Sequence, residues 1–323
     1  MPNGNILCVV WDQRTVAEQA AAGRVNATAT VWSEEILEIR PTGASTYDVV
    51  WQWKAWDHLV QDAAPAAANY GVVSEHPELI DANYGPAASP VDWIHMNSID
   101  YNPAFDQILL SVRGSSEVWI IDHSTTTAEA AGHTGGKYGK GGDLLYRWGN
   151  PSSYYAGKST DQMLYEQHDA QWIESGRPGA GNITVFNNGV NRPGGNLSSA
   201  DEFTPPVDAS GKYALSTGSA YAPSKLTWTY AGLIGSQWYE SDISGAYRLQ
   251  NGNTLLCYGT HGVLVEVTSS GEIVWLASLA DFFGSGWTSI ISPSAPQATE
   301  AVHMGGTSEA SPVPWLGSTT IGR

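Results

Sequence analysis

Three histidines and two arginines are the residues of this chain best suited to chemistry: His95 in DWIHMNSID, His168 in YEQHDAQWI, His261 in CYGTHGVL, Arg113 in SVRGSSE and Arg192 in FNNGVNRPGG. An imidazole can act as acid, base, nucleophile or metal ligand near neutral pH. A planar guanidinium can grip two oxygens of one anion. Taken singly, a histidine in a β-turn is more often a surface residue or a satisfied hydrogen-bonding group than a catalyst, so the question is whether the fold gathers them.

The segments around these residues repeat. PNGNILCVVWD at 2–12 returns as QNGNTLLCYGT at 250–260, with weaker copies FDQILLSVRGS at 105–115 and GAGNITVFNNG at 179–189. In each, a Gly or Asn turn opens a short apolar strand, the pattern of a hairpin. A strand with an acidic and apolar beat follows (EEILEI, EVWIID, DEFTPP, VLVEV), then one carrying tryptophan (VVWQW, LLYRW, LTWTY, IVWLA). WIHMNSIDY and HDAQWI supply clear strands in front of two copies, and ISGAYRL a weaker one in front of the last. The unit is four antiparallel strands, A to D, with Trp53, Trp148, Trp228 and Trp275 on strand D; Trp228 to Trp275 spans 47 residues, about one propeller blade.

The expected fold is an all-β propeller of four-stranded antiparallel blades forming a single domain over residues 1–280, with four blades recognisable and the first lacking strand A. A truncated N-terminus, or a ring closed by other segments, would account for that gap. A β-sandwich is the rival, but a sandwich does not require one unit to recur with tryptophan at the same place. Residues 281–323, rich in Gly, Ser and Pro, read as an irregular tail. Short helices are expected in TVAEQAAAGR at 15–24 and around Ala55 to Asp62.

In such a meander the starts of strands A and the B–C turns share one end of the ring. His95 and His168 fall at strand A starts, and His261, Arg113 and Arg192 in B–C turns, so all five are predicted to converge on one mouth of the channel. His123, His133, Lys137 and Lys140 sit in a C–D insertion and should face the opposite end. Loops inserted at the mouth carry Tyr70, Tyr84, Tyr154, Tyr155, Tyr165, Trp238 and Tyr239, rings suited to walling an aryl ligand or to covering blade ends. Arg113, Tyr165, Trp238 and Tyr239 are the candidate substrate-binding set, although Arg113 could equally pair with a rim carboxylate.

Composition removes several function classes. With 15 basic against 32 acidic residues and a net charge of −17, no basic stripe is available for nucleic acid or an anionic membrane surface. No apolar run approaches the ~20 residues needed to cross a bilayer, and MPNGNILCVVWD lacks the basic and long apolar regions of a secretory signal. Cys8 and Cys257 stand one residue out of step in the repeat, so they should point to opposite faces as buried thiols, not a disulfide. GHTGGKYGKGG at 132–142 lacks the GxxxxGK[ST] order of a phosphate-binding loop and reads as a flexible insertion.

As a set, the NGN repeats, DWIHMNSIDYNPAFDQILLSVR, EQHDAQW, FNNG with its following arginine, and SGAYRLQNGNTLL resemble the bacterial arylsulfate sulfotransferases over about residues 2–280. The resemblance implies a six-bladed propeller that moves sulfuryl groups between phenols without a nucleotide sulfate donor. It implies that His95 and His168 are the two site histidines at strand starts, Arg192 the site arginine, and His261 the histidine that becomes transiently sulfated. It also implies ping-pong chemistry, aryl sulfates and phenols as small-molecule partners, no cofactor or metal, and a periplasmic or extracellular home. His168 would then transfer the proton while His95 binds the sulfuryl oxygens, roles that can be exchanged. The chain departs from better-known members in lacking a signal segment and a separate N-terminal domain and in showing fewer than six blades. Two other readings stay open: a propeller binding module whose catalysis has lapsed, and a metal site on the three histidines, which a neighbouring arginine opposes by charge.

Overall fold

The computed structural model describes residues 1–85, 91–231 and 239–278; Trp238 and the tail expected at 281–323 lie outside the described residues. β1 (Ile6–Arg14), β2 (Val31–Pro41) and β3 (Tyr47–Lys54) form a three-stranded sheet, followed by an insertion with two short parallel strands, β4 (Leu59–Val60) and β5 (Ile80–Asp81). Three four-stranded sheets come next. β6 (Met96–Asn102), β7 (Gln107–Val112), β8 (Glu117–Asp122) and β9 (Tyr146–Trp148) make the second sheet. β10 (His168–Trp172), β11 (Ile183–Asn187), β12 (Ser199–Phe203) and β13 (Trp228–Tyr230) make the third. β14 (Gly245–Arg248), β15 (Thr254–Tyr258), β16 (Val263–Val267) and β17 (Ile273–Ser278) make the fourth. These four sheets are antiparallel and ordered as in the chain, and their spacing matches the predicted units; among the described residues the first has three strands, with no strand in the A position.

The NGN repeat has a mechanical reason. Gly252 takes φ 90°, which a side chain would resist, and Asn251 Oδ1 accepts the Asn253 backbone N–H at 2.9 Å to close the turn. The carboxamides of Asn251 and Asn253 then both donate to Glu266 Oε1 on the third strand of the sheet. Asn3 and Asn5 do the same to Glu38 in the first sheet. The acidic beat of the C strands is thus partly the acceptor half of this turn clamp.

The strand D tryptophans hold each sheet to the next. Trp53 Nε1 donates to Gly142 O at 2.7 Å, Trp148 Nε1 to Pro223 O at 2.8 Å and Trp228 Nε1 to Ser269 O at 2.9 Å, each acceptor lying in the C–D connection of the following sheet. Buried carboxylates add a second link: Glu34 accepts from Met96 N, Asp100 from Trp172 N and Asp169 from Ala246 N. Apolar side chains fill the interfaces between sheets, with Ile36, Trp53 and Ile108 between the first and second, Val118, Ile183 and Phe203 between the second and third, and Phe186, Leu256 and Val265 between the third and fourth. Each such side chain contributes about 1.5–3 kcal/mol through burial. The architecture is an all-β series of blade-like sheets with few helices.

α1 (Val16–Ala21) opens on a Thr15 and Glu18 capping box, within the predicted span. α2 (Thr127–Ala130) is a one-turn helix in the β8–β9 insertion. The second expected helix is only a 3-10 turn at Ala55–His58, because the chain enters β4 at Leu59. Cys8 and Cys257 are free thiols. Among the described residues, no helix is long and apolar enough to cross a membrane.

Candidate functional site

Strand register brings the predicted residues to one end of their sheets. Met96 pairs with Val112, His168 with Phe186 and Gly245 with Cys257, so each A strand starts beside its own B–C turn. His95 immediately precedes β6 at φ 52°, a left-handed conformation that costs a non-glycine residue, and its carbonyl accepts the Arg113 N–H at 3.0 Å. His95 and His168 face each other edge to face with ring centroids 6.4 Å apart.

Each of the three histidines has a polar partner on Nδ1. Asp92 Oδ2 lies 2.5 Å from His95 Nδ1, and that carboxylate is held below its usual range first by this hydrogen bond. Asn188 Oδ1 accepts from His168 Nδ1 at 2.8 Å. Asn188 Nδ2 donates to the carbonyls of Glu240 and Ile243, which fixes the amide orientation and so puts the proton of His168 on Nδ1 and the lone pair on Nε2. Burial lowers His168 to about 4, with the charges of His95 and Arg113 acting in the same direction, so the ring is neutral at pH 7.

Fully buried Glu240 presents Oε1 to His261 Nδ1 at 2.5 Å. Its backbone N–H donates to Ser198 Oγ, and its carbonyl accepts from Asn188. Glu240 thus braces both histidines with different groups: its backbone carbonyl accepts from the Asn188 that holds His168, and its carboxylate holds His261. Glu240, Asp92 and Asn188 were not singled out in the sequence. The only sequence sign was their place in segments that lead into an A strand or out of a B strand.

Arg192 donates from Nη2 to Ser199 Oγ at 3.1 Å and lies 5.5 Å from the Tyr165 ring centroid, so the predicted arginine and one predicted aromatic form a stacked pair. Arg113 is ion-paired with Glu166, the rim pairing that sequence reasoning left open. The Nε groups of Arg113 and Arg192 are buried with no hydrogen-bond partner among the described residues, a feature native proteins keep mainly where a ligand or strain is involved. Tyr239 lies within the field of Glu166, Asp242 and Arg113, and burial raises its phenol.

Tyr154 is a correction: it is a core residue, 2% exposed, its hydroxyl accepting from Tyr221 N and its ring covered by Arg147. It cannot wall a mouth because the Arg147 and Glu117 ion pair needs a packed lid there. Tyr70 lines a different cavity of about 580 Å³, together with Glu18, Trp56, His76 and His133. His123 and Lys137 do face the opposite end, His123 bonding Asp106 in the β6–β7 turn and Lys137 reaching Phe105 O.

The arrangement sets two arginines with unpaired Nε atoms at the same end of their sheets as a neutral His168 and two carboxylate-backed histidines, groups suited to an oxyanion and to proton transfer. Residues 1–283 match the family described as Arylsulfotransferase (ASST). No curated protein sequence matches the chain. Among solved structures, a protein of unknown function from Bacteroides caccae aligns with 76% of this chain at 12% identity and a TM-score of 0.34. The chain spans about half, 54%, of that protein's length, and at that score the likeness bears on neither fold nor function.

Proposed function

The chain belongs to the arylsulfotransferase family, and from that membership we propose that it transfers a sulfuryl group from an aryl sulfate ester to a phenol through a sulfohistidine at His261, on a propeller built from the four sheets. The observation that supports this reading is the buried Glu240 carboxylate behind His261 Nδ1, while the Glu240 carbonyl orients the Asn188 that holds His168, with His95 opposite His168.

Sulfuryl transfer resembles phosphoryl transfer: a loose transition state places charge on the equatorial oxygens, so positioning and electrostatics dominate. Glu240 holds the His261 proton on Nδ1, which puts the lone pair on Nε2. Nε2 attacks sulfur as the S–O bond to the donor phenol breaks, and Arg192 neutralises sulfuryl oxygens with its planar fork. In the second half the acceptor phenol attacks sulfur, the N–S bond breaks and His261 is regenerated.

The structural partners favour His95 over His168 for the proton transfer. His95, backed by Asp92 and half exposed, is suited to carry a proton to the departing phenolate and to exchange with solvent. His168, dry and lowered to about 4, is too weak a base for a phenol proton, so His95, once it has given up its own proton, takes the one from the incoming phenol. Aryl walls come from Tyr165 and Tyr239. Export to a periplasmic or extracellular site remains part of the proposal by family likeness.

A second reading, a binding module without turnover, draws support from Glu166, which occupies Arg113 and adds negative charge where a sulfate would sit. The experiment that separates them is release of nitrophenol from 4-nitrophenyl sulfate by purified protein. Release that depends on an added phenol supports transfer; saturable ligand binding with no release supports the module.

A further inference from the structure

Outside the proposed site, two imidazoles and one carboxylate from separate segments meet at the interface of the first two sheets. His58, in the 3-10 turn after β3, places Nδ1 2.8 Å from Asp143 Oδ1, and His133, in the β8–β9 insertion, places its own Nδ1 2.8 Å from the same oxygen. The rings are edge to face with centroids 5.9 Å apart, and the three potential ligand atoms all lie within 4.8 Å of one another.

The hydrogen bonding around His58 selects its ligand atom. Nε2 lies 2.9 Å from Ala130 O, and a carbonyl only accepts, so Nε2 carries the hydrogen and Nδ1 of the neutral ring carries the lone pair. That lone pair faces a carboxylate oxygen, an arrangement that needs a cation or an extra proton between the two atoms. A backbone carbonyl on the far nitrogen is also the usual orienting contact of a metal-bound histidine.

The surroundings hold the set in place. His58 is fully buried and stacks on Trp53 with centroids 5.5 Å apart and planes at 5°. Trp53 in turn donates to Gly142 O, and a Cβ on Gly142 would stand 2.6 Å from His58 Nε2, so only glycine lets the loop carrying Asp143 come this close. His133 is 59% exposed and borders the 580 Å³ cavity, which gives an ion a route in from solvent.

We propose that His58, His133 and Asp143 form a binding site for one divalent first-row transition ion, with Zn2+ the best match to two imidazoles and a carboxylate. Ligand distances of about 2.0–2.2 Å in a tetrahedral site place neighbouring ligand atoms about 3.3–3.6 Å apart, so the two 2.8 Å contacts open by roughly half an ångström or a little more, a shift that the exposed His133 can supply. Solvent from the cavity side completes the coordination. The ion ties the β8–β9 insertion to the turn after β3, across an interface that Trp53 also spans. This site is separate from the mouth and does not depend on the sulfuryl-transfer reading.

The test uses the full chain, stripped with chelator and titrated with Zn2+, and with Co2+ as a visible-absorption probe. The site requires one equivalent of either ion, a d–d spectrum with nitrogen ligation, and a thermal midpoint that rises with Zn2+. His133→Ala, at an exposed position, should keep its circular dichroism spectrum and lose both the spectrum of bound Co2+ and the thermal shift, while His76→Ala on the same cavity retains them. No saturable binding by the wild type, or binding unchanged in His133→Ala, overturns the proposal; His133→Gln replaces the alanine variant if that one does not fold.

Discussion

Glu240 Oε1 and His261 Nδ1 stand 2.5 Å apart although they are 21 positions apart in the chain, and the carboxylate is fully buried while the imidazole is partly exposed. A buried carboxylate behind an imidazole fixes the tautomer and stabilises a positive ring, as in acyl-transfer triads. Thr260 also donates to Glu240, from its backbone and its hydroxyl, so the carboxylate orients the whole turn.

Replacing Glu240 with Gln should keep the shape of this contact and remove its charge. We expect kcat for aryl sulfate turnover to fall about 10²-fold with little change in KM. Steady-state kinetics alongside a denaturation curve checks this, since loss of stability alone would leave the active fraction with normal kcat.

Arg192→Lys should fail to rescue Arg192→Ala. An ammonium keeps the charge but not the fork that bonds two oxygens, and a charged hydrogen bond is worth about 1.5–3 kcal/mol, or roughly 10- to 100-fold in kcat/KM. Near wild-type kcat/KM in the lysine variant would remove the clamp from the scheme.

Stability should depend on pH through buried carboxyls with raised values. Desolvation puts Glu34 at about 8 and Asp100 and Asp169 at about 6, so their contribution is complete below the unfolded carboxylate range and is lost as pH rises through those values. His168, lowered to about 4, acts in the opposite sense: its contribution is present above about 6.5 and lost as pH falls toward 4. Glu34→Gln keeps an acceptor for Met96 N and should flatten the loss of stability between pH 5 and 8, read from chemical denaturation at each pH.

Much of this architecture was legible in the sequence because it rests on local periodicity. The strand D tryptophans and NGN turns recur at fixed places, and Trp53, Trp148, Trp228 and Trp275 all fall on the outer strands as expected. Their partners were not legible. Gly142 O, Pro223 O and Ser269 O are backbone atoms 89, 75 and 41 residues away from their tryptophans, and no residue type marks a carbonyl. The same limit hid Glu240 and Asn188, whose importance comes from which side chains they face. Tyr154 failed for the converse reason: an aromatic in an inserted loop looks the same whether it lines a mouth or seals an ion pair.

Those tryptophan contacts have a measurable value. Trp148→Phe keeps an aromatic ring against Phe203 but leaves Pro223 O without its donor, and should cost about 1–3 kcal/mol. Trp275→Phe, at a 41% exposed position, should stay within about 0.5 kcal/mol of wild type. Equal effects of the two changes would mean that the inter-sheet hydrogen bond contributes nothing.

The most direct measurement is to mix the protein with an aryl sulfate in the absence of acceptor, quench under alkaline conditions that preserve an N–S bond, and map the modified peptide by mass spectrometry. The account predicts one sulfuryl group on His261, discharged when phenol is added and absent from His261→Ala. A sulfuryl group on another residue, or full turnover by His261→Ala, would contradict it.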